Sequence, residues 1–300
     1  MEKREQPRPL RGSGRRIIGI SVIGILIVTA AVTAVAARTS FGDGAPRGAV
    51  PVREAGSTVL MPEPRALTVE EVDALPPAVY DAVIPGLMGY EQTSTAGFTH
   101  AYSASADVPV YGTDRRTPVA KLPASNFLGE PTVIVPVEIR GEWALVLTPA
   151  RQATPSRSGG MAPAQTAGWV PMALLSKGTR LDATVHISVS AETLTVVRGE
   201  TSTVYAIGVG ARETPTPTGT TGYIQARYED PAQAQYAIQL TTLHSAAVDE
   251  PFGGDDGGLI GVHYNATSTG AVSHGCIRLS YDALDAVDQL PLGTPVVIED

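Results

Sequence analysis

Leu259-Ile-Gly-Val-His263, followed a short loop later by Val272-Ser-His-Gly-Cys-Ile-Arg-Leu279, is the stretch on which the reading of this chain turns. Side chains alternate across a strand, so Ile260 and Val262 face one way and Gly261 and His263 the other. If Cys276-Ile-Arg-Leu279 is also extended, Ile277 and Leu279 pack inward while Cys276 and Arg278 share the opposite face. The alternation therefore predicts two strands that join an apolar core on one side and present His263, Cys276 and Arg278 on the other. Cys276 is the chain's single cysteine and has no intramolecular disulfide partner. A thiol beside imidazoles is the makings of a nucleophile, because the imidazole takes the thiol proton and later returns it to a leaving amine. Gly275 permits the close backbone approach that oxyanion-stabilising N–H groups require. Arg278 offers a fork that fits a substrate carboxylate.

The flanking sequence continues in strands. His186-Ile-Ser-Val189, Thr193-Leu-Thr-Val-Val197, Thr203-Val-Tyr-Ala-Ile-Gly-Val209, Gly222–Tyr228 and Tyr236–Leu240 read as successive β segments. Thr214-Pro-Thr-Pro-Thr-Gly219 reads as a rigid turn between them, since proline fixes φ and glycine tolerates positive φ. Ser280 is placed to cap a helix running to Leu290, with Asp282 in its first turn. Pro291 and Gly293 then end it before a last strand, Pro295-Val-Val-Ile298. We assign 179–300 to one mainly β catalytic unit.

Upstream, Val108–Tyr111, Thr132–Val135, Trp143–Leu147 and Gly168–Pro171 are short β runs separated by turn residues. Their Gly141-Glu-Trp143 and Gly168-Trp-Val170 pattern resembles a small SH3-like barrel over 99–178. Ala153–Gln165, rich in Pro, Ser and Gly, reads as an exposed loop of that module. Its two tryptophans plug a small core or stack on glycan or peptide. Residues 38–98 read as a linker with short helical pieces. Thr68-Val-Glu-Glu71 has the form of a capping box for a short helix, Pro76-Pro77 and Pro85 keep the region from building a core, and Leu67–Tyr90 is expected as short helical pieces lying on a neighbour. Ile17–Ala37 carries no charged residue and is long enough to span a bilayer. The basic segment 1–16 before it keeps that end cytoplasmic, which places the folded part outside. The length favours an uncleaved anchor; the alternative is a signal peptide cut near Ala34-Val-Ala36, with the protein secreted to the wall. The net charge of −8, with the basic residues concentrated at the start, argues against nucleic-acid binding.

Ile260-Gly-Val-His263 with Ser273-His-Gly-Cys-Ile-Arg-Leu279 resembles the signature of the bacterial L,D-transpeptidase catalytic domain of the YkuD or ErfK type. Thr216-Pro-Thr-Gly219 and Gly293-Thr-Pro-Val296 resemble that family's turn and closing strand. The resemblance covers about Ala183–Asp300. It implies a β catalytic fold in which Cys276 attacks a peptidoglycan stem tetrapeptide, releases D-alanine and forms a thioester. The amine of a neighbouring stem then resolves the thioester into a 3→3 cross-link. It further implies His263 as proton acceptor and donor, and Ser273, His274, Gly275, Arg278 and Tyr264 around the substrate. Backbone N–H groups near Gly275 and Cys276 would form the oxyanion hole. No metal or cofactor is implied, and acylation by carbapenems is. The sequence departs from the family in a short His263–Ser273 loop and in Tyr264, where glycine or serine is usual.

Other readings remain beside this one. Water in place of the amine would make the protein an L,D-carboxypeptidase or cross-link hydrolase, and an inert thiol would leave a wall-binding protein. A sortase lacks its Thr-Leu-x-Thr-Cys context here. His263, His274, Cys276 and His244 are a poor zinc set without a Cys-x-x-Cys pair. His244 reads as structural or cleft-lining, His100 and His186 as outside the site, and Asp255-Asp256 as a solvated loop.

Overall fold

The computed structural model describes residues 62–231, 236–249 and 255–300. The basic segment, the apolar span 17–37 and the tether up to residue 61 lie outside the described residues. Among the described residues no helix is long and apolar enough to cross a membrane. Everything that follows belongs to one compact unit, Val59–Asp300.

Ten strands of the C-terminal half form one mixed sheet. Its order is Thr201–Ala206, Thr193–Arg198, Ala183–Ser188, Pro295–Glu299, Thr220–Tyr228, Ile238–His244, Leu259–Tyr264, Ile277–Leu279, Gly208–Gly210, Gly270–Ser273. Thr201–Ala206 at one end and Gly208–Gly210 near the other are joined by Ile207 alone. One residue cannot span a flat ten-stranded sheet, whose strands lie about 4.8 Å apart. The sheet therefore folds over, and a register break between Ile224 and Ala226 falls in the strand shared by its two halves. The core lies between them: Val185, Ile187 and Leu194 from one half meet Leu243, Ile260, Val262, Ile277 and Leu279 from the other, all nearly inaccessible. Each such side chain contributes about 1.5–3 kcal/mol of burial. The helix Tyr281–Asp288 starts at Ser280, whose side chain accepts from the Ala283 N–H, and adds Ala283, Leu284 and Val287 to this core.

The first half builds a six-stranded antiparallel sheet from Met88–Gly89, Val108–Tyr111, Pro118–Leu122, Pro136–Arg140, Trp143–Thr148 and Thr166–Pro171. A separate ribbon pairs His100–Ser103 with Ser176–Arg180. Trp143 and Trp169 are buried, Trp143 packs edge-on against Tyr111 at 5.0 Å, and the Arg115 guanidinium covers the Trp169 ring at 3.8 Å. The tryptophans are core residues here. Pro136–Arg140 is the strand in place of Thr132–Val135, of which Ile134 keeps only a bridge to Tyr102.

Two upstream expectations are corrected. Val69–Asp73 is the short helix, with both halves of the Thr68/Glu71 capping box formed. The segment after it lies on a neighbour as expected, but in extended form rather than as further helical pieces. Ala78, Ile84, Leu87 and Tyr90 are buried, and Ala78 N–H bonds the Lys121 carbonyl at 2.7 Å. Extended backbone suits proline, and the segment packs as an apolar strap that ends in the two-residue strand Met88–Gly89. Ala153–Gln165, expected as an exposed loop, is exposed at Ser156–Gly159 and Met161 but is also docked on the C-terminal half. Ala162 N–H bonds Ala246 O at 3.0 Å, and His244 N–H bonds Ala164 O at 2.8 Å. Ser156 bonds the Asp256 carboxylate through both N–H and Oγ at 2.7 Å. Asp256 is thereby partnered, and with Asp255 it pairs back on Val248–Asp249 rather than forming a free loop.

Candidate active site

Leu259–Tyr264 and Ile277–Leu279 are adjacent parallel strands in the register Val262 to Ile277, His263 to Arg278 and Tyr264 to Leu279. Ile260, Val262, Ile277 and Leu279 are at most 1% exposed, whereas His263, Cys276 and Arg278 are half-buried on the other face. The alternation read from sequence is the one observed. Cys276, one residue before the paired Ile277, falls beside Gly261. Its Sγ accepts from the Gly261 N–H at 3.4 Å and lies 3.9 Å from Leu259 O. His263 is two residues further along the same face. One strand spacing and two residues of rise separate the Cα atoms of Cys276 and His263 by about 8 Å, with both side chains on the same face.

Gly261 has little room for a side chain. A Cβ there would sit 3.1 Å from Ile238 Cγ2 and 3.9 Å from the thiol sulfur. Gly275 has φ +102°, a conformation that side-chain-bearing residues rarely adopt. The turn it makes is closed by Ser273, only 1% exposed, whose Oγ donates to Cys276 O at 2.6 Å and accepts from Gly275 N–H at 3.2 Å. A second layer comes from the proline-threonine turn. Thr214 Oγ1 donates to Ser273 O at 3.1 Å, and Thr216 Oγ1 donates to Gly275 O at 2.9 Å while accepting from Gly210 N–H at 2.8 Å. The cysteine is thus held by backbone carbonyls that two buried hydroxyls grip. The repeated threonines between prolines were the only sequence signal of this, and spacing alone does not say which carbonyls they reach.

Electrostatics set the resting state. Burial pushes the Cys276 thiol above its ordinary value, opposed by the Gly261 N–H and the Arg278 charge. Burial likewise holds His263 below the usual imidazole range; the bond to Tyr264 O opposes this, Arg278 reinforces it, and Asp230 opposes it. Near neutral pH the pair therefore rests as neutral thiol and neutral imidazole. His263 Nδ1 lies 2.9 Å from Tyr264 O. A carbonyl only accepts, so Nδ1 carries the hydrogen and Nε2 keeps the lone pair. That is the tautomer a general base needs. Arg278 Nε is buried without a partner.

The remaining residues read from sequence divide. Ser273 and Gly275 shape the turn that leads into Cys276. His274 is exposed beside them. Tyr264 stacks face to face on Tyr281, with ring centroids 3.8 Å apart and planes at 8°. Its ring thus braces the first residue of the helix, and its carbonyl orients His263. His244 lies apart, 2% exposed, with Nε2 2.7 Å from Pro149 O. His100 and His186 stand on other strands. No group of three or more His, Cys, Asp or Glu side chains is placed to hold a metal among the described residues. Asp230, Thr214 and Thr216 are the members that sequence reading did not assign to the site.

No curated protein matches the chain. Among solved structures it is similar to an L,D-transpeptidase from Mycobacterium smegmatis, at 17% identity over 53% of this chain and 91% of that one, with a TM-score of 0.31. L,D-transpeptidase 1 of Mycobacterium tuberculosis matches at 20% identity over 45% of this chain and 78% of that one, with a TM-score of 0.31. L,D-transpeptidase 3 of the same organism, in complex with a faropenem-derived adduct, matches at 16% identity over 53% and 92%, with a TM-score of 0.32. Residues 182–298, which contain the two strands, the turn and the helix described above, match the family model of YkuD, the L,D-transpeptidase catalytic domain.

Proposed function

We propose that this protein is a cysteine-dependent L,D-transpeptidase that forms 3→3 cross-links between peptidoglycan stems. We further propose that residues 17–37 anchor it in the cytoplasmic membrane with the folded part outside, and that the six-stranded unit is an SH3-like module. The observation that carries the enzymatic reading is the shared face of Cys276, His263 and Arg278, with a basic His263 Nε2 two residues from the position beside the sulfur.

In this reading Arg278 receives a carboxylate of the donor stem. A buried donor without a partner costs about 1–3 kcal/mol, and a bound carboxylate relieves that cost at Nε. His263 Nε2 takes the thiol proton as Sγ attacks the carbonyl of the third stem residue. The negative charge gathers on the carbonyl oxygen. Gly275 N–H already donates to Ser273 Oγ, so the oxyanion donor of this turn is the Cys276 N–H. Collapse breaks the amide bond to D-alanine, and His263 returns the proton to the departing amine. The side-chain amine of a second stem then attacks the thioester, His263 takes its proton, and the thiolate leaves as the restored thiol. Burial serves this sequence, because it keeps water from the thioester while the amine is awaited.

Intact-mass measurement of the protein after incubation with meropenem, and separately with stem tetrapeptide, tests the proposal. The unmodified chain should gain one adduct, localised to Cys276, and Cys276→Ala should gain none. Cross-linked product should form on addition of an amine acceptor. Labelling of no residue, or only of another residue, rejects the enzymatic reading; tripeptide without cross-link assigns the hydrolase instead.

A further inference from the structure

Exposed large apolar side chains gather at one place where the two halves meet. Tyr80 and Phe127 pack edge-to-face at 5.0 Å and remain 40% and 41% exposed. Across from them stands Tyr228, 42% exposed, at the end of its strand. Together they line a cleft of about 560 Å³, within the range of small-ligand pockets. Its other wall is Leu240 and Leu259 of the sheet that carries the nucleophile. Leu240 pairs with Gly261 in the sheet, and Leu259 O is 3.9 Å from Cys276 Sγ. The cleft thus shares Leu259 and Leu240 with the strands that neighbour Cys276.

Polar groups in the lining narrow the ligand. Arg151 is 6% exposed and donates to Ser245 O and Gly257 O, and Asp256 is held by Ser156. Both charges face protein groups, so a peptide carboxylate or amine finds no ready counter-ion in them. His244 lines the cleft but is 2% exposed and keeps its Nε2 on Pro149 O, so it adds no accessible charge. Asp81 is exposed at the rim. A neutral ring that offers apolar C–H faces to the aromatic side chains and hydroxyl groups to the Asp81 carboxylate matches this lining. A sugar has that chemistry.

We propose that the cleft is a glycan subsite. The N-acetylated sugar strand bearing the donor stem lies against Tyr80, Phe127 and Tyr228, and its peptide passes Leu240 and Leu259 to reach Cys276. This rests on the transpeptidase reading. It gives the six-stranded half a role in substrate selection, because Tyr80 and Phe127 are its residues.

The test compares acylation of the full chain by two donors, a tetrapeptide alone and the same tetrapeptide on its N-acetylglucosamine–N-acetylmuramic acid disaccharide. The unmodified protein should prefer the sugared donor about tenfold, the scale of one or two aromatic contacts. Tyr80→Ala/Phe127→Ala, both at exposed positions, should reduce that ratio to about one without changing the rate with the bare peptide. An unchanged ratio overturns the subsite. Equal slowing with both donors assigns the cleft to peptide and also overturns it. Should neither donor acylate Cys276, the transpeptidase reading fails, and calorimetry with a peptide-free tetrasaccharide decides the subsite separately. Binding that weakens about tenfold in the double variant upholds it, and absent or unaltered binding rejects it.

Discussion

His263 and His244 stand on neighbouring strands of one sheet, and the two regions around them use the imidazole in opposite ways. At the face shared with Cys276, His263 is half-buried and its Nδ1 is satisfied by the next residue's carbonyl, which leaves Nε2 basic. At the seam between the halves, His244 is sealed in, reaches Pro149 O with Nε2, and sits close enough to Arg151 for that charge to disfavour a second one. Burial and Arg151 together push His244 down to about 3, so it is neutral wherever the protein is folded under mild conditions. A local carbonyl leaves an imidazole free to move protons. A distant one turns it into a strut.

Exchanging the two side chains for alanine is the sharpest way to break that contrast. His263→Ala should slow acylation by about 10²- to 10⁴-fold while unfolding in urea at nearly the same midpoint. His244→Ala should leave acylation within about tenfold and lower stability by about 1–3 kcal/mol, since Pro149 O loses its donor in a buried place. If His244→Ala were the inactive variant, the assignment of base and strut would be reversed.

Acid titration sharpens the contrast next. The folded-state pKa of His244, about 3, lies below its unfolded value near 6.5. Between those values the unfolded chain binds the extra proton. Its contribution to stability is therefore intact above about 6.5 and is lost progressively as pH falls toward 3, to a ceiling on the order of 4 kcal/mol. His244→Gln should flatten that part of the stability curve. His263 moves in the same direction through burial and Arg278. It is needed neutral, so the acid limb of kcat/KM should fall below the ordinary histidine range, and Arg278→Met should move it upward.

The smallest effect is at Gly275. A methyl group there meets Ile260 Cδ1 at 3.1 Å on a backbone of φ +102°. Gly275→Ala should cost about 1–2 kcal/mol and slow acylation by displacing the turn that Ser273 closes. A fully active and stable Gly275→Ala protein would show that the turn tolerates other shapes.

The reach of sequence reading follows the same division. Ile260 and Val262 against Gly261 and His263, and Ile277 and Leu279 against Cys276 and Arg278, were legible because strand alternation is a local rule. Ser280 and the Thr68/Glu71 box were legible because a helix start is settled within three residues. Thr203–Val209 read as one strand and is two, parted at Ile207, because nothing local marks where a folded-over sheet changes partner. Ala78–Tyr90 read as helical pieces on a neighbour and is extended, and Ala153–Gln165 read as exposed throughout and is docked in part. Their apolar and polar groups find partners only on segments far along the chain, as Ala78 does on Lys121 and Ser156 on Asp256.

What the sequence determined alone was the β character of the chain and the pairing of apolar and polar faces at 259–263 and 276–279, with His263 and Cys276 on one face. These depend on residue type and on the two-residue period of a strand. What only the tertiary structure decided was which carbonyls the threonines at 214 and 216 hold, which of two histidines keeps a basic nitrogen, and where the halves leave a cleft beside the nucleophile. Those outcomes are set by burial and by hydrogen-bond partners dozens of residues away, and no local pattern encodes the distance between them.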